Sequence, residues 1–227
     1  MAEEAITHSA EETIAWGRAF AEILKAKGRK TDVILLQTRP DNAPADWKPQ
    51  HCFNLLSDNS IPPNTLAKMI VDTVSGVQRG GDKAFFKTNS QLQIGKAIET
   101  MRLIGVPCTL KNLYDYLTND MKVEEMIGLL TAVPDEHQMQ AVGLVTHWIE
   151  GYQRQPPEQR GGVKSTILNY LEFFTPPDIA EVFCPDRNSF EFSAIDRGAP
   201  ICVAMPQKYQ TERRYIATFL KILYYVQ

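Results

Sequence analysis

The chain has 227 residues, 44% hydrophobic and 22% charged, enough apolar material for one large globular domain or a domain carrying an insertion. A formal net charge of −3 argues against a globally basic nucleic-acid binder, while leaving local basic stripes open. The four cysteines (Cys52, Cys108, Cys184 and Cys202) stand far apart with no Cys-x-x-Cys pair, so free thiols of a reducing compartment are expected, not a disulfide or zinc framework. No apolar run approaches the ~20 residues of a membrane span, and Met1-Ala2-Glu3-Glu4 has the wrong charge for a signal peptide. The expectation is a cytoplasmic chain.

Ala5-Ile6-Thr7 reads as the end of a strand. Ser9-Ala10-Glu11-Glu12 has capping-box spacing, in which Ser9 and Glu12 satisfy each other's backbone N–H groups. Trp16, Phe20, Ile23 and Leu24 then mark one face of a helix, with Lys25 and Lys27 near its end and Gly28 to close it. Val33-Ile34-Leu35-Leu36 is an unbroken apolar run, the pattern of a strand buried on both faces of a parallel sheet. Residues 38–63 hold five prolines and read as a surface connection, pinned to the core by Phe53-Asn54-Leu55-Leu56.

From Asn64 to Tyr152 the periodicity is helical. Leu66, Ile70, Val74 and Val77 form one stripe, closed by Gly80-Gly81, and Ile94, Ala97, Ile98, Met101 and Ile104 form the next, closed by Gly105 and Pro107. Thr109 can cap a short helix, Val123, Met126, Ile127 and Leu130 mark another, and Pro134-Asp135-Glu136 opens a longer one bearing Met139, Val142, Val145, Trp148, Ile149 and Tyr152. Gln155–Gly162 reads as a mobile loop. Val163, Ile167, Tyr170, Leu171 and Phe174 resume helical spacing, Ile179, Val182 and Phe183 add a turn, and Phe190 and Phe192 alternate like a short strand. Gly198 suits a turn with positive φ, Ile201–Met205 is a second buried strand, and Ile216, Phe219, Leu220 and Leu223 mark a closing helix.

The fold class is therefore α/β and predominantly helical: a helical bundle between parallel strands. Three parts follow: residues 1–60 (α/β), 61–185 (all-helical) and 186–227 (strand and helix, returning to the first part). Gly161-Gly162-Val163-Lys164-Ser165-Thr166 departs from a phosphate-binding loop, because Val163 separates the glycines from Lys164 and no strand leads in. The histidines show no ligand spacing, and no nucleophile elbow exists. No catalytic, cofactor or metal residue is assigned. Contacts to a nucleic acid or a partner are placed on Arg79, Lys83 and Lys87, flanked by Phe85 and Phe86, on Arg160 and Lys164, and on Arg213 and Arg214.

Phe53-Asn54-Leu55, Asp82-Lys83-Ala84-Phe85-Phe86, Gly105-Val106-Pro107-Cys108-Thr109-Leu110, Ser165-Thr166-Ile167-Leu168 and the Phe190-x-Phe192-x-x-Ile195-Asp196-x-Gly198 approach to the last strand resemble, in that order, the coupling ATPases of type IV secretion and conjugation systems. The resemblance implies pieces of a RecA-like motor at either end and an all-α insertion implicated in substrate recognition. It implies a hexameric motor at the cytoplasmic face of the inner membrane that uses ATP and magnesium to pass DNA or protein to a channel. Partners would be secretion substrates, relaxation-complex proteins or single-stranded DNA. The family's Asp-Pro-Lys-Gly-Glu stretch is replaced near His8-Ser9-Ala10-Glu11, and no phosphate loop or acidic magnesium strand is visible, so no catalytic role carries over and no cofactor is assigned to this chain. An ATPase with an unorthodox or intersubunit nucleotide site, and a generic helical adaptor, remain open.

Overall fold

The computed structural model describes residues 9–28, 32–77 and 84–226. The Ala5–Thr7 strand end, the Gly80-Gly81 closure, Arg79 and Lys83 lie outside them. Two compact units emerge: Met1–Asn54 with Pro177–Ala217, and Leu55–Pro176 with Thr218–Gln227. Among the described residues there are nine α-helices and one two-stranded parallel sheet.

In the first unit, α1 (Ala10–Ala26) begins with the expected capping box: Glu12 N–H donates to Ser9 Oγ at 3.1 Å, and Ser9 N–H donates to Glu12 Oε2 at 2.7 Å. It is closed by Gly28 at φ 81°. Strands β1 (Ile34–Gln37) and β2 (Ile201–Ala204) pair in parallel, with Ile34 opposite Ile201 and Leu36 opposite Val203. The buried face of α1 is not the expected one. Trp16, Phe20 and Ile23 are 69%, 52% and 54% exposed, and the buried residues are Gly17 and Ala21. A Cβ on Gly17 would stand 2.2 Å from Cys202 Sγ, so α1 approaches β2 through its small residues.

Ile34, Leu35 and Leu36 are buried as predicted, but Ile201, Cys202 and Val203 of β2 are only half-buried. On β1, Leu35 N–H donates to His51 Nδ1 at 3.1 Å, so a side chain satisfies a backbone donor that the two-stranded ladder leaves over. Phe190 and Phe192 do not form the expected strand, since Phe192–Ala194 is a single 3₁₀ turn. Both rings stack on Phe53, each with centroids 5.2 Å away. Their alternation reflects a shared aromatic partner. The unit is tied further by α8 (Pro177–Phe183), whose Val182 carbonyl accepts from Phe53 N–H at 2.8 Å.

The second unit holds α2 (Pro63–Val77), α3 (Ala84–Leu103), α4 (Leu110–Thr118), α5 (Asp120–Leu130), α6 (Gln138–Thr146) and α7 (Pro157–Leu171). Its core is built from the predicted stripes: Leu66, Ile94, Ala97, Ile98, Met101, Leu113, Met126, Val163 and Ile167 are fully buried. Thr109 caps α4 by accepting from Asn112 N–H at 3.0 Å. The expected loop at 155–162 is mostly helix, because Pro157 opens α7 at a position where its missing N–H costs nothing. The glycines there serve packing. A Cβ on Gly162 would lie 2.4 Å from Phe86 Cε1, so Gly162 lets α7 close on α3.

The long helix predicted after Pro134 is continuous but changes pitch. A 3₁₀ turn (Asp135–His137) leads into α6, and His147–Gln153 then winds as a π-helix, with Arg154 N–H reaching back to Ile149 O at 3.3 Å. Its buried line is Ala141, Leu144, Trp148 and Tyr152, whereas Met139 and Val142 of the predicted stripe face outward. The last helix, α9 (Gln210–Val226), buries Ile216, Phe219 and Leu223 as expected.

Candidate functional site

The predicted cations are dispersed by the fold. Lys87 on α3 pairs with Asp72 of α2 at 3.3 Å, and Lys164 on α7 pairs with Asp120 of α5 at 3.3 Å. Arg160 donates to Gln153 O at 2.9 Å, holding α7 to the end of the π-helix. Arg213 and Arg214 belong to the other unit, near the start of α9, where Arg214 is exposed. Each of Lys87 and Lys164 thus has a carboxylate neighbour on an adjoining helix. Phe85 is exposed and meets Phe86 edge-on at 5.4 Å.

Gly161–Thr166 does not fit a nucleotide phosphate. All six residues lie inside α7, where backbone N–H groups are spent on the helix, and the Lys164 ammonium is turned to Asp120. Burial pushes the Cys108 thiol up to about 12 and raises Cys202 as well, which disfavours a thiolate at these two positions. Among the described residues no group of three His, Cys, Asp or Glu side chains could hold a metal.

A polar cluster joins α3 to the helix after Pro134. His147 Nε2 lies 2.9 Å from Gln93 Oε1, Gln140 donates to Glu99 Oε1 at 3.0 Å, and Trp148 Nε1 donates to Thr100 Oγ1 at 2.9 Å. Burial, then the Lys96 ammonium, lowers the His147 pKa, keeping the imidazole neutral. Its ring is bonded to a carboxamide, with no thiol in the cluster. These groups position the π-helix against α3; they do not compose a nucleophile and base.

The first unit has two concavities. One, of about 580 Å³, lies between α1 and β1 and is lined by Arg18, Glu22, Lys25, Asp32, Gln50 and His51, with Lys25 3.3 Å from both Glu22 and Asp32. Another, of about 460 Å³, opens beyond the carboxyl ends of β1 and β2, where ligands of open parallel sheets are usually held. Its lining includes Glu11, Glu12, Asp41 and the buried Thr38, whose hydroxyl has no partner among the described residues. Glu12 is held by the Ser9 backbone and Asp41 by Lys208, and among the described residues the lining offers Glu11 but no lysine or arginine for a phosphate.

Compared with protein-family models, curated proteins and solved structures, the chain finds no match. Among the described residues no helix is long and apolar enough to cross a membrane. The feature that the sequence reading missed is the outward face of α6. Met139 is 91% exposed and Val142 61%, and a Cβ on the neighbouring Gly143 would meet nothing within 4 Å. The available signal was charge: Gln138–Trp148 contains no Asp, Glu, Lys or Arg, whereas the solvent face of a surface helix normally carries charged residues.

Proposed function

We propose that this chain is the substrate-docking portion of a type IV secretion or conjugation coupling protein, with its helical unit as the docking module. The observation that carries this reading is the placement of the helical segment Leu55–Pro176 in the chain. It is inserted between β1 and β2, two strands that pair directly and in parallel within one α/β unit. A crossover between adjacent parallel strands needs only a dozen or more residues. Here the connection contains a whole helical core of its own, the organisation that a RecA-like motor with an all-α insertion requires.

Unfinished surfaces in the α/β unit support the same reading. A parallel two-stranded sheet is marginal alone and is normally covered on both faces. The exposed Trp16, Phe20 and Ile23 on α1 and the half-buried apolar β2 are what a motor fragment leaves bare where further motor elements would cover it. The lining of the crevice at the strand ends, which offers no lysine or arginine among the described residues, disfavours the alternative of an unorthodox nucleotide site in this chain.

The test pairs a binding and a cellular measurement. Thermal unfolding with millimolar Mg-ATP is expected to show no shift, since a ligand of the native state must raise the midpoint. Expression of the chain in a conjugating donor is expected to depress plasmid transfer by occupying substrate. A magnesium-dependent rise in the midpoint, or transfer that is unchanged at high expression of the chain, would overturn the proposal.

A further inference from the structure

We infer that the outward face of α6 docks a basic, amphipathic segment of a partner protein, its apolar side seated on Met139 and Val142. This rests on the docking reading above for the partner's identity as a secretion substrate. The chemistry of the face stands on α6 and its surroundings alone.

The apolar part of the surface is defined by what is missing as much as by what is present. Burial of Ala141, Leu144 and Trp148 fixes the inner side of the helix, so Met139, Val142, Gly143 and Thr146 share the outer side. Not one of them is charged. Exposed single apolar residues are common, but a helix with no charge on any side, left open along one of them, is not. Gly143 leaves a shallow step beside Val142, and Met139, unbranched and polarisable, can remodel around an incoming side chain.

The charged surroundings select the occupant. Residues 120–150 carry six carboxylates against one lysine, −5 by sequence, which Lys164 and Arg154, paired with Asp120 and Glu150, reduce to −3. Of these, Asp120, Glu125 and Glu150 have cationic neighbours in Lys164, Lys122 and Arg154. Asp135 and Glu136, at the amino end of α6, are exposed and have no lysine or arginine partner among the described residues, with His137 Nε2 3.5 Å from Glu136. On the α3 side, Glu99 holds Gln140 of α6 and is paired with Lys96 at 2.9 Å.

Asp135 and Glu136, one turn before Met139, disfavour a phosphate backbone, an anionic membrane and a second copy of the same face. It attracts a peptide that offers Leu or Phe anchors at helical spacing, flanked by Lys or Arg.

The experiment is fluorescence anisotropy on the full chain with a labelled synthetic helix of about 18 residues, five turns, built from Leu, Lys and Arg with one apolar face. Controls are a scramble of the same residues and a Leu/Glu counterpart. The expected result is binding of the first peptide only, weakened as salt rises from roughly 0.05 to 0.5 M. Met139→Ser with Val142→Ser should weaken it about tenfold or more, and Asp135→Asn with Glu136→Gln should weaken it chiefly at low salt.

Both residue pairs are exposed, so an unchanged thermal midpoint separates lost binding from lost folding. Equal binding of the scrambled or acidic peptide, or full affinity in the serine variant, would overturn the inference. So would light scattering that shows a dimer abolished by the serine pair, which would give the face to a second copy. If the serine variant loses the peptide yet depresses plasmid transfer as strongly as wild type, this inference fails. If the peptide results hold and neither chain affects transfer, only the secretion reading fails.

Discussion

Thr100→Val is the sharpest probe of how the helical unit is held together. The Trp148 indole N–H donates to Thr100 Oγ1 at 2.9 Å, and both side chains are fully buried. Valine keeps the shape of threonine and removes the hydroxyl, both the acceptor for Trp148 and a donor. The second bond of the hydroxyl, donated to Lys96 O at 2.8 Å, leaves no orphan when lost, because that carbonyl also belongs to the α3 ladder. What remains is an indole N–H buried without a partner, a penalty of about 1–3 kcal/mol. Trp148 is the second residue of the π-helix, so the cost falls on the contact between that segment and α3.

The assay is urea unfolding followed by Trp fluorescence and circular dichroism, with the same substitution repeated in a Trp148→Phe background. There the donor is gone, and Thr100→Val should be close to neutral or stabilising, a coupling of at least about 1 kcal/mol between the two sites. A Thr100→Val protein as stable as wild type, or an equal penalty in both backgrounds, would refute the reasoning.

Three further outcomes follow from the same geometry. Gly17→Ala should destabilise the α/β unit, because the new Cβ would meet Cys202 Sγ. In a Cys202→Ala background the nearest remaining contacts, at 3.4 Å, are tolerable, so the change should turn stabilising by up to about 1 kcal/mol, as chemical denaturation would register. The folded pKa of His147 lies below its ordinary value of 6.5, so the unfolded chain takes up the proton first. Stability of the helical unit should therefore be complete above that pH and fall on acidification through it, levelling off once the folded ring protonates. His147→Gln should remove that part of the pH profile. Cys108, half-buried with its thiol pushed up to about 12, should react with maleimide at pH 8 more slowly in the native chain than in urea, and equal rates would contradict its partial burial.

Local signals in the sequence were sufficient wherever the physics is local. The Ser9–Glu12 capping box, the Thr109 cap and the positive φ of Gly28, Gly105 and Gly198 each depend on a few neighbouring residues, and each was legible. So were the two apolar runs as strands in parallel pairing, although the expected cover on both sides holds for β1 and not for β2, which is half-buried.

Tertiary contact decided what periodicity could not. On α1 the bulkiest residues suggest the inner face, yet the small residues Gly17 and Ala21 turn inward because β2 approaches too closely for anything larger. On α6 the predicted stripe steps by threes from Met139 to Trp148, which at 3.6 residues per turn drifts about half a turn; packing takes the face of Ala141, Leu144 and Trp148, and Met139 is left outside. The cations proposed for partner contact are spread by helices that supply Lys87 and Lys164 with carboxylates of their own. Sequence spacing records which residues can share a face; the packing partner determines which face is buried, and so where a surface is left for another molecule.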